Sequence, residues 1–325
     1  MIQSTVRPWS FAVGALVLVM GLPGAPAARL SLERIVVFGT SLSDPGNAFA
    51  LTHETTTPPY DTLDAFLVPS ASYATGGQHF SNGPTWVEQF AQSRGLSRST
   101  QPAFQNASPW ATNFAIATSR ARTSVATASL GFQVAAFLTA ANGVAPADAL
   151  YVIEMGTNDL RDALLASLGG GNGSAIVTDA TGAIGDSIAA LYAAGARKFF
   201  VWNSPNIALT PAVGILDALV PADVAGLATL LTVFFNANLQ AELATLAALP
   251  GIEIVDFDAF QMFNAVAAAP GAFGLSVVHL PCVTPSVAPF HCDAPDAYLF
   301  WDGIHPTKAA HGVIADAAAA RLAQP

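Results

Sequence analysis

Three short blocks hold residue types that together could run acyl transfer. The first is Gly39-Thr40-Ser41-Leu42-Ser43-Asp44-Pro45-Gly46-Asn47, directly after an apolar run. A serine hydroxyl at a strand-to-turn junction is exposed and stands beside its own backbone N–H, but it needs a base to become a nucleophile. The second block, Trp301-Asp302-Gly303-Ile304-His305-Pro306-Thr307, offers one. Asp302 and His305 lie three residues apart, so the carboxylate can fold back onto one imidazole nitrogen while the other points outward. Such a pair fixes the tautomer and stabilises the imidazolium formed in catalysis. The third block, Gly156-Thr157-Asn158-Asp159, also follows an apolar run. An amide at the end of a parallel strand can donate to a developing oxyanion. Each block alone also reads as a turn or helix cap: Ser43 or Asp44 at the first, Asp302 at the second, an Asx turn at the third. Taken together they supply nucleophile, oriented base and oxyanion donor.

The elements that must position these blocks alternate along the chain. Apolar runs at 34–38, 149–153, 198–202 and 251–255, with a weaker one at 113–116, read as buried parallel strands. Helical stretches are expected at 85–92, 130–141, 183–194, 224–249 and 306–322, the last with Pro306 in its first position. The alternation predicts an α/β fold with a central, mostly parallel sheet of about five strands. Three stretches, about 50–82, 204–222 and 265–300, read as long and irregular. In an open parallel sheet the ligand site lies beyond the carboxyl ends of the strands, where all three blocks fall.

Bulk composition narrows the function classes. The chain has 325 residues, of which 10% are charged and 52% hydrophobic, and carries a formal charge of −10. With 12 Lys+Arg against 22 Asp+Glu it offers no basic surface for nucleic acid. Residues 1–27 read as a signal peptide: Arg7, a 12-residue apolar run from Phe11 to Leu22, and small residues at Ala25 and Ala27 before cleavage. The expected location is therefore secreted or periplasmic, with residues 28–325 forming one domain. The later apolar run Val224–Phe235 falls short of the ~20 residues of a membrane span, so no stable membrane insertion is expected. It reads as core, with its start available to acyl chains if the 204–222 stretch exposes it. Export, an even count and close spacing favour a disulfide between Cys282 and Cys292. Two cysteines beside His291 make a poor zinc set, so no metal and no cofactor are expected. Asp44 and Asp159 read as caps that hold their loops, and His311 as helix surface.

At these blocks the sequence resembles the GDSL or SGNH hydrolase family, in its secreted bacterial branch. Ser41 sits in a block like that family's Gly-Asp-Ser-Leu-Ser-Asp-x-Gly-Asn. Gly156-x-Asn158-Asp159 and Asp302-x-x-His305 match two further blocks, and Phe80-Ser-Asn-Gly-Pro84, Trp86-Val-Glu88 and Tyr298-Leu-Phe-Trp-Asp302 also resemble that branch. The resemblance runs from about 34 to 318. It implies a flavodoxin-like three-layer α/β/α sandwich and metal-free hydrolysis of small-molecule or lipid esters, with Ser41, Asp302 and His305 catalytic. The oxyanion donors it implies are Ser41, Asn158 and Thr118, the last standing where the family carries a glycine, as Thr40 stands for the usual Asp. A backbone N–H survives the Thr118 replacement; the φ that a glycine would allow is the point at issue. Acyl transfer through the same acyl-enzyme, or a weakened site that binds lipid or glycan, are the alternatives. A classical α/β-hydrolase would want Gly-x-Ser-x-Gly deeper in the chain, unlike Gly39-Thr-Ser41-Leu-Ser43.

Overall fold

Period-two alternation along the strands decides the layering. In β1 (Ile35–Gly39), Val36 and Phe38 face one side, Ile35 and Val37 the other, and all four are fully buried. A computed structural model describes residues 32–105, 108–124 and 127–324, so the expected signal peptide lies outside the described residues. After β1 come α1 (Asn47–Thr52), the short strands β2 (Thr55–Thr56) and β3 (Ser72–Tyr73), α2 (Trp86–Ser93) and α3 (Leu130–Ala140). Then follow β4 (Leu150–Glu154), α4 (Thr157–Leu168), α5 (Gly173–Ala193), β5 (Lys198–Trp202), α6 (Pro211–Leu219) and α7 (Val224–Leu246). The chain continues through β6 (Glu253–Phe257), α8 (Ala259–Ala268), β7 (Val277–Pro281), β8 (Tyr298–Phe300) and α9 (Lys308–Leu322).

The central sheet runs β1-β4-β5-β6, all parallel. One face packs Val36, Phe38, Tyr151 and Phe199 against α3, α4, α5 and α7; the other packs Ile35, Val152, Phe200 and Trp202 against α2, α8 and α9. Helices on both faces give the three-layer α/β/α sandwich and explain why β1, β4 and β5 are almost wholly apolar, whereas the edge strand β6 exposes Glu253 and Asp256.

The sheet has four strands rather than about five. The 112–116 segment lies along the free edge of β1, with Val37 N–H donating to Thr112 O, and Phe114 and Ile116 N–H donating to Val37 and Gly39 O. It pairs in parallel with β1 only as an isolated bridge at Asn113. The next bond of a parallel ladder, Gly39 N–H to Phe114 O, is not made, because Gln133 Oε1 takes the Gly39 N–H at 2.9 Å. Counting this segment as second in the chain, the order is 2-1-3-4-5, and it reverses between β1 and β4, the crevice where such sheets bind ligands.

All three stretches read as irregular contain elements; 50–82 holds the short parallel pair β2–β3. Residues 204–222 form a 3-10 turn (Ile207–Leu209) and α6, whose Thr210 caps with its hydroxyl and whose Pro211 occupies the first turn. Residues 265–300 contain the β7–β8 pair. The last helix starts at Lys308, not Pro306: Pro306 pairs with Phe300 in an antiparallel bridge, and the Thr307 hydroxyl caps Ala310 N–H at 3.1 Å. His311, expected at the surface, is 1% exposed and accepts from Trp86 N–H at 3.2 Å. Burial drives its pKa down to about 3, so it sits neutral between α9 and α2. The α7 helix is only partly core, since about one third of its most apolar window is buried.

Candidate active site

Ser41 occupies the turn that ends β1, closed by Ser43 N–H donating to Thr40 O at 3.1 Å. This turn is welded to the 112–117 segment. Asp44 accepts from the N–H groups of Gly46, Asn47 and Ala48, and also from Ala117 at 2.8 Å. Asn113 donates to Ser43 O, and Asn47 donates to Asn113 O and Ala115 O. Asp44 is thus a cap, as expected, and a clamp between two loops as well. Burial raises its pKa to about 6 against the pull of those four N–H donors.

Across the crevice, Asp302 and His305 sit in the turn between β8 and α9. Asp302 Oδ1 accepts from Ile304 and His305 N–H at 2.9 and 2.8 Å, which folds the turn back on itself. Its Oδ2 then lies 2.7 Å from His305 Nδ1, and His305 Nε2 lies 2.9 Å from Ser41 Oγ. A carboxylate only accepts, so Nδ1 carries the proton and Nε2 presents its lone pair to the serine hydroxyl. The three side chains come from points up to 264 residues apart and are all nearly dry, at 8% (Ser41), 0% (Asp302) and 3% (His305) exposure. The segment that leads into Asp302 is braced by the Cys282–Cys292 disulfide. Cys282 N–H donates to Phe300 O and Trp301 O, and Cys292 N–H to Cys282 O.

Asn158 opens α4 just after β4. Gly156, which caps that helix, has φ +115° and lies so close to the Phe235 ring that a Cβ would meet it at 2.2 Å. Only glycine satisfies both demands. The Asn158 amide donates one hydrogen to Ser119 O at 2.9 Å, leaving its second. Thr118 lies between Ala117, clamped to the Ser41 loop, and Ser119, bonded to Asn158. Its φ is +64°, the left-handed region a glycine would fill without strain. Among the described residues, neither the Ser41 nor the Thr118 N–H donates to a protein acceptor. Thr118 itself is exposed and does not line the cavity described below. Asp159 anchors another strip of chain, accepting from Ala121 N–H at 2.8 Å, rather than capping its own helix. Burial lifts its pKa to about 6.

Three further residues support the site from outside the sequence blocks. Tyr73 is fully buried and donates its hydroxyl to Asp302 Oδ2 at 2.8 Å; burial and the neighbouring carboxylate raise its own pKa far above the usual phenol range. Glu154, at the end of β4, accepts from Thr40 N–H and from the Thr40 and Ser43 hydroxyls at 3.0–3.1 Å. It is 1% exposed, and burial raises its pKa to about 7. Thr40, where the resembling family carries Asp, is therefore held by a carboxylate from the neighbouring strand. Gln133 on α3 spans Gly39 with both ends of its amide, at 2.9 and 2.8 Å. Glu154 has a readable signal, as the one acid in an apolar strand; Tyr73 has none, lying 229 residues from its partner.

A cavity of about 120 Å³ opens beside Ser41 and His305. Its wall is mostly apolar: Phe66 and Val68 from the β2–β3 region, Leu164 and Leu165 from α4, Ile207, Val213 and Leu216 from around α6, and Ile304. Arg161, paired with Asp64 at 3.4 Å, stands among them. No group of three or more His, Cys, Asp or Glu that could hold a metal ion occurs among the described residues.

The GDSL-like Lipase/Acylhydrolase family model matches residues 35–318. The chain is 25% identical over 301 residues to a thermolabile hemolysin of Vibrio parahaemolyticus, covering 88% of this chain and 62% of that protein. It is 26% identical over 182 residues to a GDSL esterase/lipase of Arabidopsis thaliana, covering 52% of each. A second Arabidopsis thaliana GDSL esterase/lipase matches at 24% over 180 residues, covering 52% of this chain and 49% of that one. The chain thus spans about half to three-fifths of the length of these relatives. The matched region runs from the strand before Ser41 to the helix after His305, and the chain belongs to the GDSL-like lipase/acylhydrolase family.

Proposed function

We propose that the protein is an exported carboxylic ester hydrolase, with residues 28–325 as its catalytic domain and Ser41, His305 and Asp302 as its triad. The observation that carries the reading is the unbroken chain from Ser41 Oγ through His305 to Asp302, at 2.9 and 2.7 Å. His305 Nε2 takes the hydroxyl proton as Ser41 Oγ attacks the ester carbonyl, and Asp302 stabilises the imidazolium. The carbonyl oxygen gains negative charge and is met by the Ser41 N–H, the second Asn158 amide hydrogen and the Thr118 N–H. His305 then protonates the leaving alkoxide, and the acyl group stays on Ser41. Water, deprotonated by His305, attacks the acyl-enzyme and returns the free acid and the serine.

The wall beside Ser41 supports esters with apolar acyl groups as the substrates. Family membership supports hydrolysis, and the Cys282–Cys292 disulfide supports export. Ser41→Ala is expected to reduce hydrolysis of p-nitrophenyl butyrate by about 10³-fold or more, on the order seen when a triad nucleophile is removed, while leaving the circular dichroism spectrum intact. Turnover within about tenfold of the parent would overturn the assignment.

A further inference from the structure

The α6–α7 hairpin turns apolar side chains in two directions. Towards the catalytic cavity, α6 presents Val213 and Leu216. Towards solvent, Leu219 at its end is 68% exposed, and on α7 Leu230, Val233 and Phe234 are 68%, 49% and 39% exposed. With exposed Ala237 these α7 positions fall at i, i+3, i+4 and i+7, a single stripe on the face opposite buried Leu231 and Phe235. No charged residue interrupts α7 until Glu242. By length and composition the helix could cross a membrane, yet its other face is committed to the core of the sheet. A helix so divided can lie along a lipid surface but cannot leave the fold to span it.

One contact ties the helix that carries the stripe to the cavity wall. The Thr229 hydroxyl, one residue before Leu230, reaches 3.4 Å from Asn206 Oδ1, and Asn206 lines the cavity. Asp217 Oδ1 accepts from Val224 and Ala225 N–H, at 2.7 and 3.1 Å, which ties the end of α6 to the start of α7. Charge selects the surface: no Lys or Arg occurs from residue 199 to residue 307, and the whole chain carries −10. An anionic membrane would repel this face, whereas zwitterionic lipid would not.

We propose that the exposed face of α6–α7, centred on Leu230, Val233 and Phe234, docks on zwitterionic lipid surfaces and presents the cavity to acyl chains held there. The proposal rests on the ester hydrolase reading for its purpose, but not for its measurement. The test compares the parent chain with Leu230→Ser/Val233→Ser/Phe234→Ser by sedimentation with phosphatidylcholine vesicles. Both proteins keep the same N-terminus, so the difference reports the stripe. The expected result is a partition coefficient at least tenfold lower in the triple variant, a matching loss of hydrolysis on vesicle-borne long-chain esters, and turnover of soluble p-nitrophenyl acetate within twofold. In Leu230→Trp, the introduced fluorescence should shift to the blue when vesicles are added, which tests the contact without a multiple substitution. Equal partitioning of parent and triple variant, or a Leu230→Trp signal that ignores vesicles, would overturn the proposal. So would a parent dimer that the triple variant dissociates, with no vesicle binding, because a second copy would then cover the stripe. A parent that partitions but hydrolyses no ester removes the hydrolase reading and leaves the docking face standing.

Discussion

Replacing Thr118 by glycine isolates one of the two positions, with Thr40, where this chain departs from the motif pattern it resembles. Thr118 holds φ +64°. An L-residue in that region costs about 1–2 kcal/mol, and a β-branched side chain sits at the unfavourable end of that range. Glycine removes the strain but adds freedom to the unfolded chain, a penalty of about 0.5–1 kcal/mol. The threonine side chain is exposed, so little packing is lost. The difference leaves Thr118→Gly more stable by about 0.5–1 kcal/mol. The N–H stays on the same backbone between the anchors at Ala117 and Ser119, so kcat/KM on p-nitrophenyl butyrate should stay within about threefold of the parent. Urea unfolding with unchanged m, combined with that kinetic assay, measures both quantities. A variant destabilised by about 1 kcal/mol or more would refute the strain reasoning. A loss of kcat of about a hundredfold, of the order expected for losing an oxyanion donor, would show that the side chain itself takes part.

Two other buried groups give predictions of different kinds. Tyr73→Phe deletes the second side-chain donor to Asp302 Oδ2, which should cost about 1.5–3 kcal/mol of stability, as for a hydrogen bond to a charged group. The carboxylate charge then falls more fully on His305, so the acidic limb of the kcat/KM–pH profile should move to higher pH; an unmoved limb with full stability would contradict the geometry. Glu154 is raised by burial from 4.5 to about 7, so the folded state holds a proton that the unfolded state releases first. Its contribution to stability is therefore full below about 4.5 and is lost as pH rises through about 7, on the order of 3 kcal/mol in all. Glu154→Gln should abolish that fall, read as the pH dependence of the difference in unfolding free energy between the two proteins; a pH-independent difference would refute it.

The site was legible where chemistry and local structure share a short segment. Ser41, Asn158 and the Asp302–His305 pair each lie within a few residues of a strand end or helix start, so their placement followed from the strands alone. What stayed hidden depends on long-range packing. Tyr73 reaches Asp302 across 229 residues of chain, and no spacing announces that meeting. His311 carries a polar ring on a helix rich in alanine, yet α9 turns it inward onto the first N–H of α2. The α6 helix was obscured by Pro205, Pro211 and Pro221, although Thr210-Pro211 is a sound N-terminal signal once read as cap and first turn. The fifth strand failed for a long-range reason too: Gln133, 94 residues on, takes the Gly39 N–H that a ladder would give to Phe114 O.

Everything in the proposed chemistry depends on His305 activating Ser41 as the nucleophile. The most direct measurement is reaction of the protein with a fluorophosphonate, followed by mass spectrometry of the modified peptide. A single adduct on Ser41 is expected, formed quickly at neutral pH in the parent and slowed at least a hundredfold in His305→Ala. An adduct on another serine, or labelling of Ser41 at an equal rate without His305, would contradict it.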